Sequence, residues 1–283
     1  MRIKILGTAA EQGWPPLFSK SHGSHRSMEL GGKHVRSRSS LLIDACLKID
    51  FPADTFHQAV TQQLLLDQVK YLLLTRSSYH NVAPEELGLV VQGLAGFDGK
   101  APLNVFGNTE TVEKLKGNWG QKSALLFEIQ AFQTLSLGNY LIHPIRAHNN
   151  GDREPLNYLI RKGKHSMLYV SDTGLYAEPS FRFLRYHKLD LVLCGCRYGS
   201  AKAADPYSMG FPEALDLKRR FEKEGISHSK TLWYLTQLHH QNNILHEELE
   251  ALVSPFGFQV AWDGLELDLS RPTHEKRLVS NAT

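Results

Sequence analysis

Residues 75–81 read Thr-Arg-Ser-Ser-Tyr-His-Asn and place an arginine, two serines and a histidine in one short loop. The apolar run from Val69 to Leu74 precedes it, and Pro84-Glu85-Glu86 opens a helix after it. Strand, short loop and helix N-terminus form a common setting for functional side chains. Ser78 could act as a nucleophile with His80 as its base, but it lacks the G-x-S-x-G elbow that exposes such a serine. A serine here more commonly makes hydrogen bonds or caps a turn. Arg76 suits an anion. As a metal site the loop is poor: arginine is not a normal zinc ligand, and serine and asparagine compete badly with imidazole or carboxylate.

The elements that must position this loop follow from periodicity. Strands are expected over 2–7, 40–44, 47–50, 69–75 and 103–107, with an amphipathic helix over 54–66 on Phe56, Val60 and Leu64, and another over 84–94. A further helix begins near Asn108 or Thr109. The polar stretch Ser19 to Arg38 reads as an inserted loop or short helix. Residues 125–170 are strand-rich, with extended segments near 126–131, 139–146, 156–161 and 166–170 and a turn at Asn149-Asn150-Gly151-Asp152. Helices over 178–187, 211–223 and 244–254 then alternate with strands over 190–195, 231–236, 257–261 and 265–269. Helices flank apolar strands at both ends, which favours a layered α/β/β/α sandwich over separate domains. One domain is expected over residues 1–269, followed by a polar tail over 270–283.

The chain has 283 residues, of which 42% are hydrophobic and 22% charged, enough for a sizeable core. A net charge of +3 implies no nucleic-acid or membrane partner unless the basic residues cluster. The densest cluster, Lys33 to Arg38, reads as a solvated loop. Three cysteines, Cys46, Cys194 and Cys196, without framework spacing point to a reducing compartment. Cys194 and Cys196 share a strand face but sit too far apart to bridge, and Cys196 reads as a buried, inert thiol rather than one activated by Arg197. With no signal-like N-terminus and no apolar run of membrane-spanning length, a cytoplasmic location is the expectation. Gly31-Gly32 lacks phosphate-loop spacing.

Over nearly its whole length the chain resembles the metallo-β-lactamase superfamily, and within it the phosphodiesterases of the phosphonate-degradation type. The ordered landmarks are Gly7-Thr8-Ala9 through Gly13, Arg38 through Asp44, Thr75 through Asn81, Pro144 through His148, Ser171-Asp172-Thr173, Cys196-Arg197-Tyr198, Thr236-Gln237 and Trp262-Asp263-Gly264. The resemblance implies a metallo-β-lactamase-like α/β/β/α sandwich. Carried over to the T-H-x-H-x-D-H signature, the three histidines fall on Arg76, Ser78 and Asn81 and the aspartate on His80. Tyr198 and Gln237 stand where that subgroup has histidines, and only His148 and Asp172 keep metal-binding types. Two inherited ligands, with His80 as a third at most, are too few for a dinuclear centre.

The same resemblance implies a structural zinc in a Cys-x-Cys-x-x-Cys loop completed by a late histidine. Here Ser19, Ser21 and Ser24 occupy that spacing, with His240 at the late position. Natural loss and deliberate replacement leave the same pattern. A substitute site on His22, His25 and His240 is a further alternative.

Without metals, Asp172 needs a partner, and Arg76 could clamp it bidentately. That arrangement is either an inert salt bridge or part of an anion pocket formed by Arg76 with His80 and His148 and edged by Tyr198 and Gln237. In a metal-free hydrolase, His80 or His148 would be the base for Ser78, with Asp172 orienting it. The expectation is a catalytically diverged protein with no cofactor that binds a small anionic molecule or a protein partner. The alternative is a phosphodiesterase-like hydrolase with one zinc or manganese ion on His80, His148 and Asp172.

Overall fold

The computed structural model describes residues 1–91, 103–119, 125–149 and 153–271. Its first sheet gathers β1 (Arg2–Gly7), β2 (Ser40–Ile43), β3 (Leu47–Ile49), β4 (Tyr71–Leu73), β5 (Asn104–Gly107), β6 (Leu126–Glu128) and β14 (Glu266–Asp268). The second contains β7 (Leu135–Leu137), β8 (Tyr140–Arg146), β9 (Leu156–Lys162), β10 (His165–Val170), β11 (Leu191–Gly195), β12 (Leu232–Thr236) and β13 (Phe258–Val260). The orders are β14-β1-β2-β3-β4-β5-β6 and β13-β12-β11-β10-β9-β8-β7. Each sheet joins an antiparallel block to a parallel one: β14, β1, β2 and β3 pair antiparallel, and β3 to β6 parallel. Likewise β7 to β10 pair antiparallel, and β10 to β13 parallel.

Alternation along the strands builds three apolar layers. Ile3, Ile5, Ile43 and Leu73 meet Ile142, Tyr158, Ile160 and Leu193 between the sheets. Outside the first sheet, Leu72, Leu74 and Val105 pack with residues of α3 (Pro84–Val91) and α4 (Thr109–Trp119). Outside the second, Leu168, Val192 and Trp233 pack with α5 (Glu178–Leu184), α6 (Phe211–Lys223) and α7 (His246–Val253). Helices on both outer faces of two packed sheets make the expected α/β/β/α order. Residues 92–94 of the expected helix, the turn residues 150–152 and tail residues 272–283 lie outside the described residues.

Three local expectations need correction. First, α2 (Thr55–Thr61) stops well short of Leu66, and Phe56 and Val60 face solvent. Gln58 faces inward instead, donating to the Arg38 carbonyl at 2.8 Å and Ser37 Oγ at 2.9 Å while accepting from Ser40 Oγ at 2.7 Å. The Arg38 carbonyl and the serine hydroxyls beside β2 find their partner in this buried amide, and that requirement overrode the apolar period. Second, the Lys33 to Arg38 stretch is solvated only in its first half, at Lys33 and Val35. Arg36 is buried and donates to Thr8 Oγ1 at 2.8 Å, the Ala261 carbonyl at 2.5 Å and His246 Nδ1 at 3.0 Å, while Arg38 pairs with Asp54 at 2.8 Å. Third, β7 is an additional strand, and β6 joins the first sheet rather than the strand-rich middle. The Ser19 to Arg38 segment contains α1 (His22–Leu30), capped by Ser21 Oγ on Ser24 N at 3.2 Å.

Candidate functional site

Loops after β1, β4, β8, β10, β11 and β12 supply Glu11, Arg76, His148, Asp172, Arg197 and Gln237 at the C-terminal ends of their strands. The loop after β4 is held from beneath. Buried Asp50 accepts from Thr75 N at 2.8 Å and from Asn81 Nδ2 at 2.9 Å, and Asn81 Nδ2 also reaches Thr75 Oγ1 at 3.0 Å. Burial pushes the Asp50 carboxyl up to about 6, against the hydrogen bonds from Thr75 and Asn81. The adjacent Lys48 ammonium, fully buried and donating to the Asp50 carbonyl at 2.7 Å, is pushed down by the same desolvation. Asn81 is therefore a strut of the loop.

Above this base, Arg76 meets Asp172. Its Nη1 donates to Asp172 Oδ2 at 2.6 Å and its Nη2 to the Asp172 carbonyl at 2.7 Å. The clamp is two-armed, but one arm grips main chain, so the bidentate carboxylate pairing is corrected. Asp172 has φ +36°, which turns its carbonyl into reach of the second arm. Gln237, at φ +56°, accepts from Asp172 N at 2.6 Å and donates to Ser171 Oγ at 2.7 Å. Its amide fits because Gly195 lies below: a Cβ there would stand 2.5 Å from Gln237 Oε1. His80 Nε2 lies 3.8 Å from Asp172 Oδ2. Burial would raise the Asp172 carboxyl, but Arg76 and His80 overcome it and hold it below the ordinary range.

A second ion pair faces the first. Both Nη atoms of Arg197 engage the two carboxylate oxygens of Glu11, with His239 Nε2 3.4 Å from Glu11 Oε1. Burial alone would raise Glu11, yet His239 and Arg197 hold it far below the usual carboxylate range. Arg38 Nε donates to the Glu11 carbonyl at 2.7 Å. Glu11, Arg197, Asp172, His80, Asn81 and Gln237 line a cavity of about 10 Å³, room for roughly one water. His80 Nδ1 and Asn81 Oδ1 are buried and have no hydrogen-bond partner among the described residues.

The other candidates do not converge there. His148 is exposed, with Nδ1 3.1 Å from the Leu175 carbonyl and its ring edge against Tyr207. Tyr198 Oη donates to Asp205 Oδ2 at 2.8 Å. Ser78 accepts at its carbonyl from Asn81 N and Val82 N. Of the expected set, Arg76, Asp172, His80 and Gln237 come together.

Among the described residues no group of three or more His, Cys, Asp or Glu side chains could hold a metal ion. The donor chemistry agrees, since Arg76 covers the carboxylate that a cation would need. The residues present therefore do not fit the metal centre that the fold's relatives imply. Among the described residues His22, His25 and His240 form no such group either. At the zinc-loop position, Ser24 Oγ lies 2.8 Å from both Ser19 Oγ and Ser21 Oγ, with the latter two 3.3 Å apart. Cys196 Sγ bonds the Gly199 carbonyl at 3.3 Å and burial raises its thiol well above the ordinary value, while Arg197 turns away to Glu11.

Glu11 and Arg197 were not expected in the site. Their signal was position: each follows a strand that ends at the cleft, but their pairing joins residues 186 apart in sequence. Lys48 and Asp50 were hidden inside an apolar-looking strand pair.

Similarity to solved structures matches this architecture. A diphosphatase from the PhnP family superposes with a TM-score of 0.75 at 19% identity, covering 94% of this chain and 97% of its own. This chain has the metallo-β-lactamase fold. Zn²⁺-bound PqqB from Methylobacterium extorquens gives a TM-score of 0.68 at 15% identity over 95% and 100% of the two chains. The metallo-β-lactamase fold protein YhfI from Bacillus subtilis gives 0.68 at 16% over 94% and 99%. By sequence, no family description and no curated protein matches the chain. At such identities the likeness concerns the fold. Among the described residues no helix is long and apolar enough to cross a membrane.

Proposed function

We propose that this metallo-β-lactamase-fold protein is catalytically diverged and works by binding, with its ancestral reaction cleft closed by ion pairs. The observation that carries this reading is the Arg76–Asp172 contact, in which a guanidinium neutralises the carboxylate at 2.6 Å. Arg76 and Asp172 on one side and Arg197 and Glu11 on the other make a balanced quartet. A balanced quartet around room for one water presents no open anion pocket in this conformation. A small anionic ligand at Arg76, His80, His148, Asp172, Tyr198 and Gln237 would first have to open the Arg76 pair. A partner protein contacting the cleft rim would not.

The likeness to a diphosphatase over 94% of the chain favours a second reading, a phosphodiesterase-like hydrolase with one zinc or manganese ion on His80, His148 and Asp172. Against it stands His148, exposed and turned to the Leu175 carbonyl.

Metal analysis of untagged protein, purified without chelators and then incubated with zinc or manganese and desalted, separates the two. The binding reading expects no stoichiometric metal and no phosphodiester turnover above the His148→Ala background. One tightly held ion per chain, lost in His148→Ala and Asp172→Asn, would overturn it in favour of the hydrolase.

A further inference from the structure

At the opposite end of the first sheet from the cleft lies a much larger hollow of about 700 Å³, within the usual range of small-molecule sites. It exists because the outer apolar layer ends at Leu42 on β2 and Leu6 on β1. The helices and the Leu64–Leu66 segment cover the sheet up to β2 and Leu6, whereas the Arg2 and Lys4 end of β1 and the outer face of β14 carry charged residues. Two cross-strand rows form the floor, Leu42–Lys4–Glu266 and Asp44–Arg2–Asp268. Leu64 and Lys162 contribute from the sides and Arg271 from beyond β14.

The charges in this hollow do not cancel. Lys4 pairs with Glu266 at 2.9 Å, Lys162 with Asp44 at 2.9 Å, and Arg271 approaches Asp268 at 3.7 Å. The carboxylates are further engaged: Asp44 accepts from Tyr140 Oη at 2.8 Å, and Asp268 from Ser270 N at 2.9 Å. Four cations thus face three occupied carboxylates. Among the described residues the Arg2 guanidinium has no acidic partner within salt-bridge distance. A planar fork of donors in the same hollow as apolar Leu64 and the edge of Leu42 matches a flat oxyanion carried on an apolar body.

We propose that this hollow binds a small organic anion, its carboxylate, sulfonate or phosphate head at Arg2 and its apolar body against Leu42 and Leu64. The site shares no residue with the closed cleft, so it stands independently of the metal-free reading.

Anilinonaphthalene sulfonate, an aromatic anion whose fluorescence rises in apolar surroundings, serves as the probe on the full chain. Titration is compared among the parent, Arg2→Glu, Leu64→Trp (which narrows the hollow at its apolar wall) and Arg219→Glu on exposed α6, each checked for an unchanged thermal unfolding transition. Saturable one-to-one binding is expected, weakened about tenfold or more by Arg2→Glu, as for loss of a charge-assisted contact. Leu64→Trp should weaken it similarly and Arg219→Glu should not. Absence of saturable binding, parental affinity in Arg2→Glu, or equal weakening by Arg219→Glu would each overturn the site. None of these results bears on metal content, so failure here leaves the closed-cleft reading to its own test.

Discussion

Arg76 Nη1 lies 2.6 Å from Asp172 Oδ2, and its other arm reaches the Asp172 carbonyl at 2.7 Å. The contact joins loops 96 residues apart and from different sheets, so it closes the cleft and ties the sandwich across its top. Its value to the fold lies in what happens when one side is removed, because an unpaired buried charge costs more than the pair contributes.

Arg76→Ala should therefore lose about 3–5 kcal/mol of unfolding free energy at neutral pH. Arg76→Leu combined with Asp172→Leu should recover much of that, since an apolar pair of similar bulk is often tolerated. Urea denaturation of the parent, single and double variants measures both. A single variant within about 1 kcal/mol of the parent would mean that the pair is solvated, as surface pairs are.

Gly195 should be intolerant of a side chain. Its Cβ would stand 2.5 Å from Gln237 Oε1 and 3.1 Å from the Val170 carbonyl, so Gly195→Ala must push Gln237 off Asp172 N. A loss of about 1–3 kcal/mol is expected, from overpacking and the vacated buried donor. Gln237→Ala should remove most of the additional penalty, a non-additivity that a double-mutant cycle reads directly.

Acid should weaken the fold through His246. Its Nδ1 accepts from Arg36 Nη2 at 3.0 Å, and Lys33 and His34 lie in the same surroundings. Burial and then Arg36 depress its pKa to about 3, against about 6.5 in the unfolded chain. A depressed histidine binds its proton more readily when unfolded, so its contribution is complete above about pH 6.5 and declines as pH falls toward 3. Thermal midpoints measured between pH 7 and pH 4 should fall more steeply in the parent than in His246→Asn. Parallel curves would show that His246 does not carry the effect.

Ser19, Ser21 and Ser24 hold their hydroxyls within 3.3 Å of one another, and the buried His240 Nδ1 has no hydrogen-bond partner among the described residues. The resemblance that aligns these residues with a zinc loop predicts that Ser19→Cys, Ser21→Cys and Ser24→Cys together confer one zinc per chain. The bound ion should raise the thermal midpoint, because binding only the native state stabilises it. If the triple variant holds no zinc after desalting, the alignment of this loop is wrong.

Much of the architecture was legible in the linear chain. Short apolar runs bounded by turns marked most strands, and α6 appeared over the very span that its spacing predicts, 211–223, because local periodicity reports which face is buried. Over α2 the apolar period misleads for the complementary reason: its apolar residues face out, and Gln58 is buried by the Arg38 carbonyl and the Ser37 and Ser40 hydroxyls, all distant in sequence. The chemical types at the cleft were likewise visible, so the poor metal chemistry of Arg76, Ser78 and Asn81 required no coordinates. Beyond the Arg76–Asp172 pair, which the residue types already suggested, tertiary structure decided which charges answer one another. Arg197 meets Glu11 across 186 residues, Arg36 is buried although it reads as loop charge, and His148 turns outward although its type suits a site. Side-chain identity is a local property of the chain, whereas the pairing of charges depends on the distances and desolvation that exist only once the two sheets have packed.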